Sequence, residues 1–425
     1  MSTATPPAPP QETARPKSAP PRRSSIRGWY AVARDALDRP LTAYYLLLGA
    51  SALLLTIGLI MVLSASSVYS YKQNEGNSYA VVTRQLMWVA IGIPCAWIAS
   101  RLPLGVVRRF AWPALLLTVV LLALVRVPGL GREVNGNTNW LGLGPIVIQP
   151  AEIAKLAIVL WAAHIYARKE KRLGSLHELL FPVVLGIGVV IVLVMLGRDL
   201  GTALVLFAIL LAMLWVVGAP ARLFTVSIMV IGVIALYLAT TSQHRLERLT
   251  TFTDPFKDFH RAGWQPAHGL YALASGGWFG QGIGASQQKW GDLPEAHTDF
   301  IFAVLGEELG LVGTLLVIGL FLTIAYAAVR VASHTTDTFV RYMTFGIVVW
   351  LLGQMIINVG MVLALLPVIG IPLPLVSYGG SALVPSLVAL GLVIGFARRE
   401  PEAALALAQR KKARSAGLSA GRAPH

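Results

Sequence analysis

Cysteine and charge are both scarce in this sequence. Its 425 residues include a single cysteine, Cys95, which lies in an apolar run. A disulfide framework, a CxxC redox pair and a multi-cysteine zinc site are therefore excluded. Charged residues make up 13% and apolar residues 56% of the chain, whereas a soluble domain has about 25% and 45–50%. This composition indicates a membrane protein.

The signature motifs of several soluble enzymes are also absent. The chain contains no GxxxxGK[ST] phosphate loop and no HExxH, and its one GxSxG match, at 417–421, lies in the C-terminal tail and follows no predicted strand. The glycine run at 280–284 follows no predicted strand and opens no predicted helix, so it does not indicate a dinucleotide site. The histidines outside the tails lack metal-ligand spacing, and no structural metal is predicted.

Ten apolar segments recur along the chain, most of them close to or above the 18 residues that a membrane-spanning helix needs. The sequence therefore predicts an all-α polytopic membrane protein with ten transmembrane helices. The predicted segments are 42–67, 85–100, 110–126, 151–167, 179–197, 201–218, 222–241, 299–330, 341–367 and 379–397.

The distribution of basic residues predicts the orientation. If the N-terminus is cytoplasmic, the cytoplasmic segments hold 24 of the 35 lysines and arginines but only 8 of the 20 acidic residues. Such an excess is typical of cytoplasmic loops, so both termini are predicted to be cytoplasmic. The net charge of +15 then reflects topology and contact with anionic lipid, and no nucleic-acid partner is expected.

Three regions follow from this arrangement. Residues 1–41 are rich in Pro, Ser, Ala and Arg and lack the apolar core of a cleaved signal peptide, so a disordered cytoplasmic tail is predicted. Residues 42–398 form the transmembrane domain, and 399–425 a second basic tail. Within the domain, residues 242–298 form one large extracytoplasmic loop between spans seven and eight. Its glycines and aromatic residues predict packing on the membrane surface and make it the expected place for chemistry.

Ionisable residues within or beside membrane spans are costly and are therefore functional candidates. Glu152 and Lys155 are three residues apart on one helix face. They form either a structural ion pair, or a site in which Lys155 faces an anionic substrate. Arg198 and Asp199 lie where spans five and six meet, and an ion pair closing a tight turn is one interpretation of them.

Deeper polar residues have a simpler interpretation. Gln354 and Asn358 share a helix face, which predicts hydrogen bonds between helices. At least one of Glu307 and Glu308 is expected to face the protein interior, paired with a cation from another helix.

Asp299 is the carboxylate of greatest interest. It ends the long loop immediately before an apolar run. One interpretation is a helix N-cap that accepts backbone hydrogen bonds. The other is a general base for a lipid-linked substrate, since the residue lies at the membrane–water boundary.

Five stretches of this sequence resemble the SEDS family of bacterial cell-wall proteins, and the match runs from about residue 45 to 398. They are QPAEIAK (149–155), DLGTA (199–203), GQGIG (280–284), PEAHTDFIFAVLGEELG (294–310) and PLPLVSYGGSA (372–382). The resemblance implies a ten-span peptidoglycan glycosyltransferase of the bacterial inner membrane that polymerises lipid II. It also implies a class B, FtsI-like penicillin-binding protein as partner, with other membrane proteins of the division machinery.

The resemblance also implies roles for individual residues. The family's essential acidic residue falls on Asp299. Its other polar positions suggest substrate-binding candidates, to which we add residues inside or beside the matched motifs. The resulting set is Glu152, Lys155, Arg198, Asp199, Trp140, Arg245, Arg248, His297 and Ser377.

A mechanism can be argued for this reaction. Asp299 would take the proton of the acceptor's 4-hydroxyl, while Arg245, Arg248 and Lys155 would stabilise the departing diphosphate. An α-linked donor giving a β-linked product implies a single inverting displacement. No cofactor is predicted, although a divalent cation, Mg²⁺ or Mn²⁺, bound through the diphosphate is left open.

The chain departs from the family pattern at two places. Asn139 precedes Trp140 where many relatives have arginine, and His268-Gly269 stands where a Gln-Ser pair is common. A substrate role at 268 and 269 is therefore doubtful. The PEAHTDF motif and the long tails favour a division-type member, at the division septum, over an elongation-type polymerase.

Two other function classes remain open from the sequence. A lipid II flippase of the same fold would place polar residues along a path across the whole bilayer, whereas here they cluster at the outer face. A non-catalytic scaffold of the division machinery would explain the aromatic loop and the tails but not the intact motif around Asp299.

Overall fold

Long apolar helices form most of this chain. The computed structural model describes residues 39–134, 137–143, 146–240, 252 and 254–409. Within this part of the chain the helices are α1 (Thr42–Gln73), α2 (Ala80–Arg101), α3 (Leu104–Arg109), α4 (Ala111–Leu124), α5 (Pro150–Lys169), α6 (Leu176–Leu180), α7 (Val183–Leu196), α8 (Leu200–Val216), α9 (Ala221–Thr240), α10 (Trp264–Gly276), α11 (Ile301–His334), α12 (Thr338–Val362) and α13 (Gly380–Ala397). Short 3₁₀ turns lie at Glu170–Arg172 and Gln288–Trp290.

The long helices lie at the predicted apolar segments, with ends that differ by a few residues. Among the described residues, seven helical stretches are long and apolar enough to cross a bilayer, and α4, α8 and part of α9 are shorter apolar helices. Large apolar side chains such as Leu116, Leu185 and Leu315 are more than half exposed, as lipid-facing residues should be. The prediction of a helical, multi-pass membrane protein is thus confirmed.

Local sequence signals set several helix ends. Pro150 occupies the first turn of α5, where its missing N–H leaves no hydrogen bond unmade. Asp199 caps α8 by accepting a hydrogen bond from the Thr202 backbone N–H. Asp337 caps α12 through the N–H groups of two residues that follow it. Each carboxylate also compensates the positive end of a helix dipole.

A small β-sheet is the departure from an all-helical chain. Strands β1 (Gly131–Val134), β2 (Asn137–Leu143) and β3 (Ile146–Ile148) form an antiparallel sheet in the order β1-β2-β3. It lies between α4 and α5, and Arg132 is the cross-strand partner of Trp140. The sequence predicts no strands there, because the segment is glycine-rich and too short for a recognisable alternation of apolar residues.

The core of the protein centres on α5 and α12. α12 packs against α5, α8 and α11, and Trp161 and Tyr166 of α5 are fully buried. α13 packs along α2, where Gly391 and Gly395 lie directly on the α2 backbone. Small residues four apart are the usual way in which membrane helices approach closely.

Helix α11 is broken near its start. Gly310 has φ 66° and ψ −165°, a conformation that side-chain-bearing residues rarely adopt. The break frees backbone N–H and carbonyl groups of α11. They form hydrogen bonds with the first residues of the segment 277–290, which we call the clasp. The four hydrogen bonds run from the N–H of Gln281 to Glu307 (2.9 Å), Gly282 to Glu308 (3.0 Å), Leu311 to Gly277 (2.9 Å) and Val312 to Trp278 (3.1 Å).

Candidate active site

Asp299 lies in the turn that precedes α11. The N-cap of that helix is Phe300, and no side chain caps it. The backbone N–H of Phe300 instead donates to the carbonyl of Glu295 at 3.1 Å. Within the part of the chain that the structure describes, the Asp299 carboxylate accepts no hydrogen bond. The interpretation of Asp299 as an N-cap is therefore wrong, and its carboxylate is left available for chemistry.

The surroundings of Asp299 favour its protonated form. The side chain is half-buried and enclosed by protein. Burial, with the negative charges of Glu295 and Asp199 adding to it, raises the pKa of Asp299 to about 7. Gly370 lies against the carboxylate, because a Cβ built on it would be 3.4 Å from Oδ2. A carboxylate with a pKa near neutrality and no hydrogen-bond partner is suited to accept and release a proton.

Asn358 of α12 holds the turn that carries Asp299 through its side-chain amide. Its Nδ2 donates to the carbonyl of Asp299 at 2.8 Å and to that of Ile371 at 2.7 Å. Gln354, one turn earlier, donates to the Pro372 carbonyl at 3.0 Å. The predicted hydrogen bond between helices is present for Gln354, which accepts from Lys155 of α5, whereas the partners of Asn358 lie in a turn and a loop. The two amides hold the 297–299 turn and the 369–373 loop in one arrangement.

Ser377 and His297 lie beside Asp299 and are engaged by protein. The Ser377 hydroxyl donates to the carbonyl of Thr298 at 2.6 Å and accepts from the N–H of Leu373 at 2.8 Å. The N–H of Tyr378 donates to the carbonyl of His297 at 3.0 Å. Burial lowers the pKa of His297, which favours the neutral ring. Both residues stay candidates for substrate binding, and their contacts position the turn.

Asp199 belongs to the same region, since its charge acts on Asp299. Its carboxylate accepts from the N–H and hydroxyl of Thr202, both at 2.9 Å. It also accepts from the side-chain amides of Asn139 at 2.8 Å and Gln149 at 2.9 Å. Arg198 does not pair with it. That side chain is exposed, and it has no partner among the described residues, so the interpretation of a self-satisfied ion pair is wrong.

Lys155 and Glu152 form a buried pair beneath the site. Lys155 Nζ is 2.6 Å from Glu152 Oε2 and donates to Gln354 Oε1 at 3.1 Å. Lys155 is 1% exposed and Glu152 2%. The predicted ion pair is thus present, and Lys155 touches the network around Asp299 through Gln354. Its charge is enclosed by protein in this structure, so contact with a substrate would require a rearrangement.

The remaining predicted site residues have varied positions. Trp140 is half-buried on β2, beside the Asn139 that bonds to Asp199. Arg245 and Arg248 lie outside the described residues. His268 and Gly269 are buried in α10, and Gly269 packs on the ring of Phe300, which agrees with doubting a substrate role for them.

A second polar cluster lies under the clasp. Glu308 Oε1 is 3.1 Å from Lys289 Nζ and accepts from the Ser64 hydroxyl at 2.5 Å. Glu307 accepts from the Ser286 hydroxyl at 2.5 Å. Both glutamates are 1% exposed. The prediction that at least one of them faces the interior beside a cation is confirmed, but the cation comes from the short 3₁₀ turn of the loop rather than from another long helix.

The described residues contain no group of three or more His, Cys, Asp or Glu side chains placed to hold a metal ion. A divalent cation bound mainly through a substrate diphosphate would not need such a group. The Mg²⁺ or Mn²⁺ left open by the sequence therefore stays a prediction.

The family model for cell cycle proteins of the FtsW/RodA/SpoVE type matches residues 44–401. The chain belongs to this family. A Mycobacterium tuberculosis protein named probable peptidoglycan glycosyltransferase FtsW is 40% identical, covering 94% of this chain and 74% of that protein. A protein of the same name from Trichlorobacter lovleyi is 37% identical, covering 80% and 89%. Within the family, the chain is FtsW-like.

Solved structures agree with this assignment. One chain comes from a structure described as the coordination of polymerization and crosslinking by a peptidoglycan synthase complex. It is 28% identical with a TM-score of 0.68, and the match covers 84% of this chain and 97% of that one. The rod shape determining protein RodA of Thermus thermophilus is 27% identical with a TM-score of 0.61, covering 84% and 97%. The FtsW/RodA/SpoVE fold is therefore shared over most of the chain.

Two contributors to the site were missed by sequence reasoning. Gly370 touches the carboxylate of Asp299, and Gln149 helps to hold Asp199. The first had a usable signal, because a glycine between apolar residues and a Pro-Leu-Pro run indicates a tight turn. The second had none, since a lone glutamine before a helix does not reveal a partner fifty residues away.

Proposed function

We propose that this FtsW-like protein polymerises lipid II into glycan strands, with Asp299 as the general base. Its relatives bear the name of peptidoglycan glycosyltransferases, and the chain is such an enzyme. The observation that carries the role of Asp299 is its carboxylate without a hydrogen-bond partner, in surroundings that raise its pKa to about 7. A base with that pKa is about half ionised at neutral pH. This is close to the best compromise between the fraction of the base that is ionised and its strength as a proton acceptor.

The reaction is a single displacement. The 4-hydroxyl oxygen of the acceptor's terminal N-acetylglucosamine attacks C1 of the donor's muramyl sugar. A new C1–O4 bond forms as the bond between C1 and the diphosphate oxygen breaks, and undecaprenyl diphosphate leaves with the electron pair. The Asp299 carboxylate takes the hydroxyl proton. The α-linked donor becomes a β-linked product, which requires only one carboxylate in addition to charge stabilisation of the leaving group.

Positive charge is needed where the diphosphate leaves. Arg198 is exposed and without a partner in the described part of the chain, beside the Asp199 whose charge reaches the base. It is the leading candidate among the described cations near the base, because Lys155 is enclosed by Glu152 and Gln354. Arg245 and Arg248 would add to it, as would Mg²⁺ or Mn²⁺ bound by the diphosphate.

The finer topology belongs to the same proposal. The seven long and three shorter apolar helices would make ten crossings of the bacterial inner membrane. Both termini would be cytoplasmic, with residues 242–298 extracytoplasmic. The domain would extend over 42–398 between tails at 1–41 and 399–425. FtsW-like membership favours the division septum.

A class B, FtsI-like penicillin-binding protein is the proposed partner. A structural neighbour belongs to a complex described as coordinating polymerization and crosslinking, and the structural match covers 97% of that chain. Other membrane proteins of the division machinery would join the pair.

Glycan polymerisation by the purified protein with its partner tests the proposal. Labelled lipid II is supplied to the wild type, to Asp299→Asn and to Asp292→Asn, after thermal unfolding has shown that all three fold. Asp292 is an exposed acid of the same loop and serves as the matched control. We expect the Asp299 variant to lose about 10²- to 10⁴-fold in rate, with the control unchanged.

The other outcomes are equally informative. Equal polymerisation by Asp299→Asn and the wild type would reject Asp299 as the base. Absence of polymer from every variant would reject the polymerase. Transbilayer movement of labelled lipid II in vesicles would then separate a flippase, which moves the lipid, from a scaffold, which does not.

A further inference from the structure

Three rings extend from the Asp299 turn toward α1 and α2. His297, two residues before Asp299, has its ring centroid 4.8 Å from that of Tyr69 at the end of α1. On the loop side its centroid is 5.6 Å from that of Tyr378. Tyr378 is tied to the turn through its backbone N–H, which donates to the His297 carbonyl. The rings are therefore fixed relative to the base.

A cation ends this row. Arg84, in the first turns of α2, is exposed, and its positive charge acts on the Tyr378 side chain. Tyr69 is 48% exposed and Tyr378 is half-buried, so both rings keep a face or edge open to a ligand. We call Tyr69, His297, Tyr378 and Arg84 the aromatic shelf. From the turn that carries the Asp299 carboxylate, the shelf presents rings and then a guanidinium.

This order matches the chemistry of one lipid-linked substrate. Tyrosine rings offer an apolar face for a sugar and a hydroxyl for its polar edge. A guanidinium binds phosphate through several N–H groups at once. A disaccharide joined to a diphosphate would thus meet suitable groups in sequence along the shelf.

The reaction uses two such substrates, and the geometry distinguishes them. In the donor, the reacting C1 is bonded directly to the diphosphate, so the donor's cation must lie beside the base. In the acceptor, the reacting 4-hydroxyl and the diphosphate lie at opposite ends of the disaccharide. Only the acceptor needs rings between the base and the cation, and that is the order of the shelf.

We propose that the aromatic shelf is the acceptor subsite, with Tyr69 and Tyr378 against the disaccharide and Arg84 on the diphosphate. This inference rests on the proposed function, because it assigns one of the two substrates of the polymerase. The donor then lies on the other side of Asp299, toward Asp199 and Arg198.

An aromatic belt is the competing explanation, because tyrosines are common at membrane–water boundaries. Tyr71 and Tyr79 provide the comparison. They lie in the same region between α1 and α2 and are 60% and 64% exposed, yet the described residues include no ring that contacts theirs. If Tyr69 belongs to a belt, replacing it should affect the reaction in the same way as replacing Tyr71 or Tyr79. If Tyr69 contacts the substrate, its replacement should have a different effect.

A single-transfer reaction measures the two substrates separately. The donor is labelled lipid II whose N-acetylglucosamine 4-hydroxyl is capped with galactose, so that it cannot act as an acceptor. The acceptor is unlabelled lipid II. The rate of labelled product is measured with the protein and its partner while each substrate is varied in turn. The variants are Tyr69→Ala, Tyr69→Phe, Arg84→Gln and Arg84→Lys, with Tyr71→Ala and Tyr79→Ala as controls.

We expect the KM for the acceptor to rise about tenfold in Tyr69→Ala and in Arg84→Gln, as the loss of a ring contact or a charged hydrogen bond implies. Tyr69→Phe and Arg84→Lys, which keep the ring or the charge, should recover most of it. The KM for the capped donor should not change. A rise in the donor KM instead, or equal effects of Tyr69→Ala and Tyr71→Ala, would overturn the assignment. An inactive wild type would count against the proposed polymerase, which separates the two failures.

Discussion

A single carboxylate, that of Asp299, sets the expected pH dependence of the enzyme. Its pKa of about 7, raised by burial and then by Glu295 and Asp199, means that protonation removes the base below neutrality. We expect kcat/KM to fall about tenfold per pH unit below 7 and to level off above it. This fall is the acidic limb of the pH–rate profile. It is measured by initial rates between pH 5.5 and 8.5, with the folded fraction checked at each pH.

Glu295→Gln provides the matched control for that limb. Removing a negative charge near Asp299 makes its ionised form less costly, so the limb should move to lower pH. A rate that is independent of pH over this range, or a limb that moves upward in Glu295→Gln, would contradict the role of Asp299.

Gly370 is the second residue whose effect can be predicted. It has φ 77°, and a Cβ on it would lie 3.4 Å from Asp299 Oδ2. Gly370→Ala should lower kcat about tenfold by crowding the base, with backbone strain of about 1 kcal/mol. Gly129→Ala is the control, because Gly129 has φ 87° with open space around it. We expect both variants to lose a similar amount of stability and only Gly370→Ala to lose rate. Equal rates in the two variants would refute the prediction.

The sequence identifies individual residues of the candidate site where they belong to a motif with a known mechanism. Asp299 was found because a carboxylate closes a polar loop immediately before an apolar run. Ser377 and His297 were found as members of motifs, but their roles in holding the turn could not be predicted, since their partners are backbone N–H and carbonyl groups brought together only by folding. The position of Gly370 beside the base likewise depends on a contact between segments some seventy residues apart.

At the scale of elements, the clasp explains how a broken helix is tolerated in a membrane protein. The break at Gly310 would leave backbone groups without partners in an apolar setting, and residues 277–282 supply them. The ion pair between Lys289 and Glu308 then fastens the loop to α11. The Ser64 hydroxyl of α1 donates a hydrogen bond to the same glutamate. The long loop is thereby held close to the Asp299 turn.

Lys289→Met tests this fastening. It leaves Glu308 buried without its cation, which should lower the free energy of unfolding by about 3 kcal/mol. Lys289→Met combined with Glu308→Gln should recover part of that loss, because the buried charge is removed as well. Lys171→Met, on an exposed lysine outside the clasp, is the control. Thermal unfolding in detergent measures all three. A Lys289 variant as stable as the control would show that the pair does not hold the loop.

The elements themselves were predicted unevenly. Membrane helices are set by long apolar runs, which sequence displays directly, so their positions agree to within several residues. The helix α10 and the small sheet were not predicted, because their residues pack against the bundle and carry no periodic signal of their own. The kink at Gly310 could not be predicted either, since its cause is a partner segment thirty residues earlier.

At the scale of the whole molecule, the structure groups the candidate site at one end of the helices, and the basic residues predict which helix ends face the cytoplasm. The turn of Asp299, the 363–379 loop and the caps of α5 and α8 meet at one end of the helices. At other helix ends, Arg108 pairs with Asp337 and Lys169 with Glu178, both at 2.5 Å. These are segments that the excess of basic residues places in the cytoplasm.

Cysteine labelling tests this topology in the natural membrane. The native Cys95 is first replaced by alanine, so that each added cysteine is unique. Glu75→Cys, in the turn after α1, should react with a membrane-impermeant maleimide in spheroplasts, because α1 is predicted to begin on the cytoplasmic side and to cross once. Lys171→Cys, after α5, should react only once the membrane is permeabilised, because the four predicted crossings would return the chain to the cytoplasm. Both positions are exposed, so accessibility within the protein does not limit either reaction. Labelling of both cysteines from the same side would show that the number of crossings between them is even rather than three, and would contradict the predicted topology.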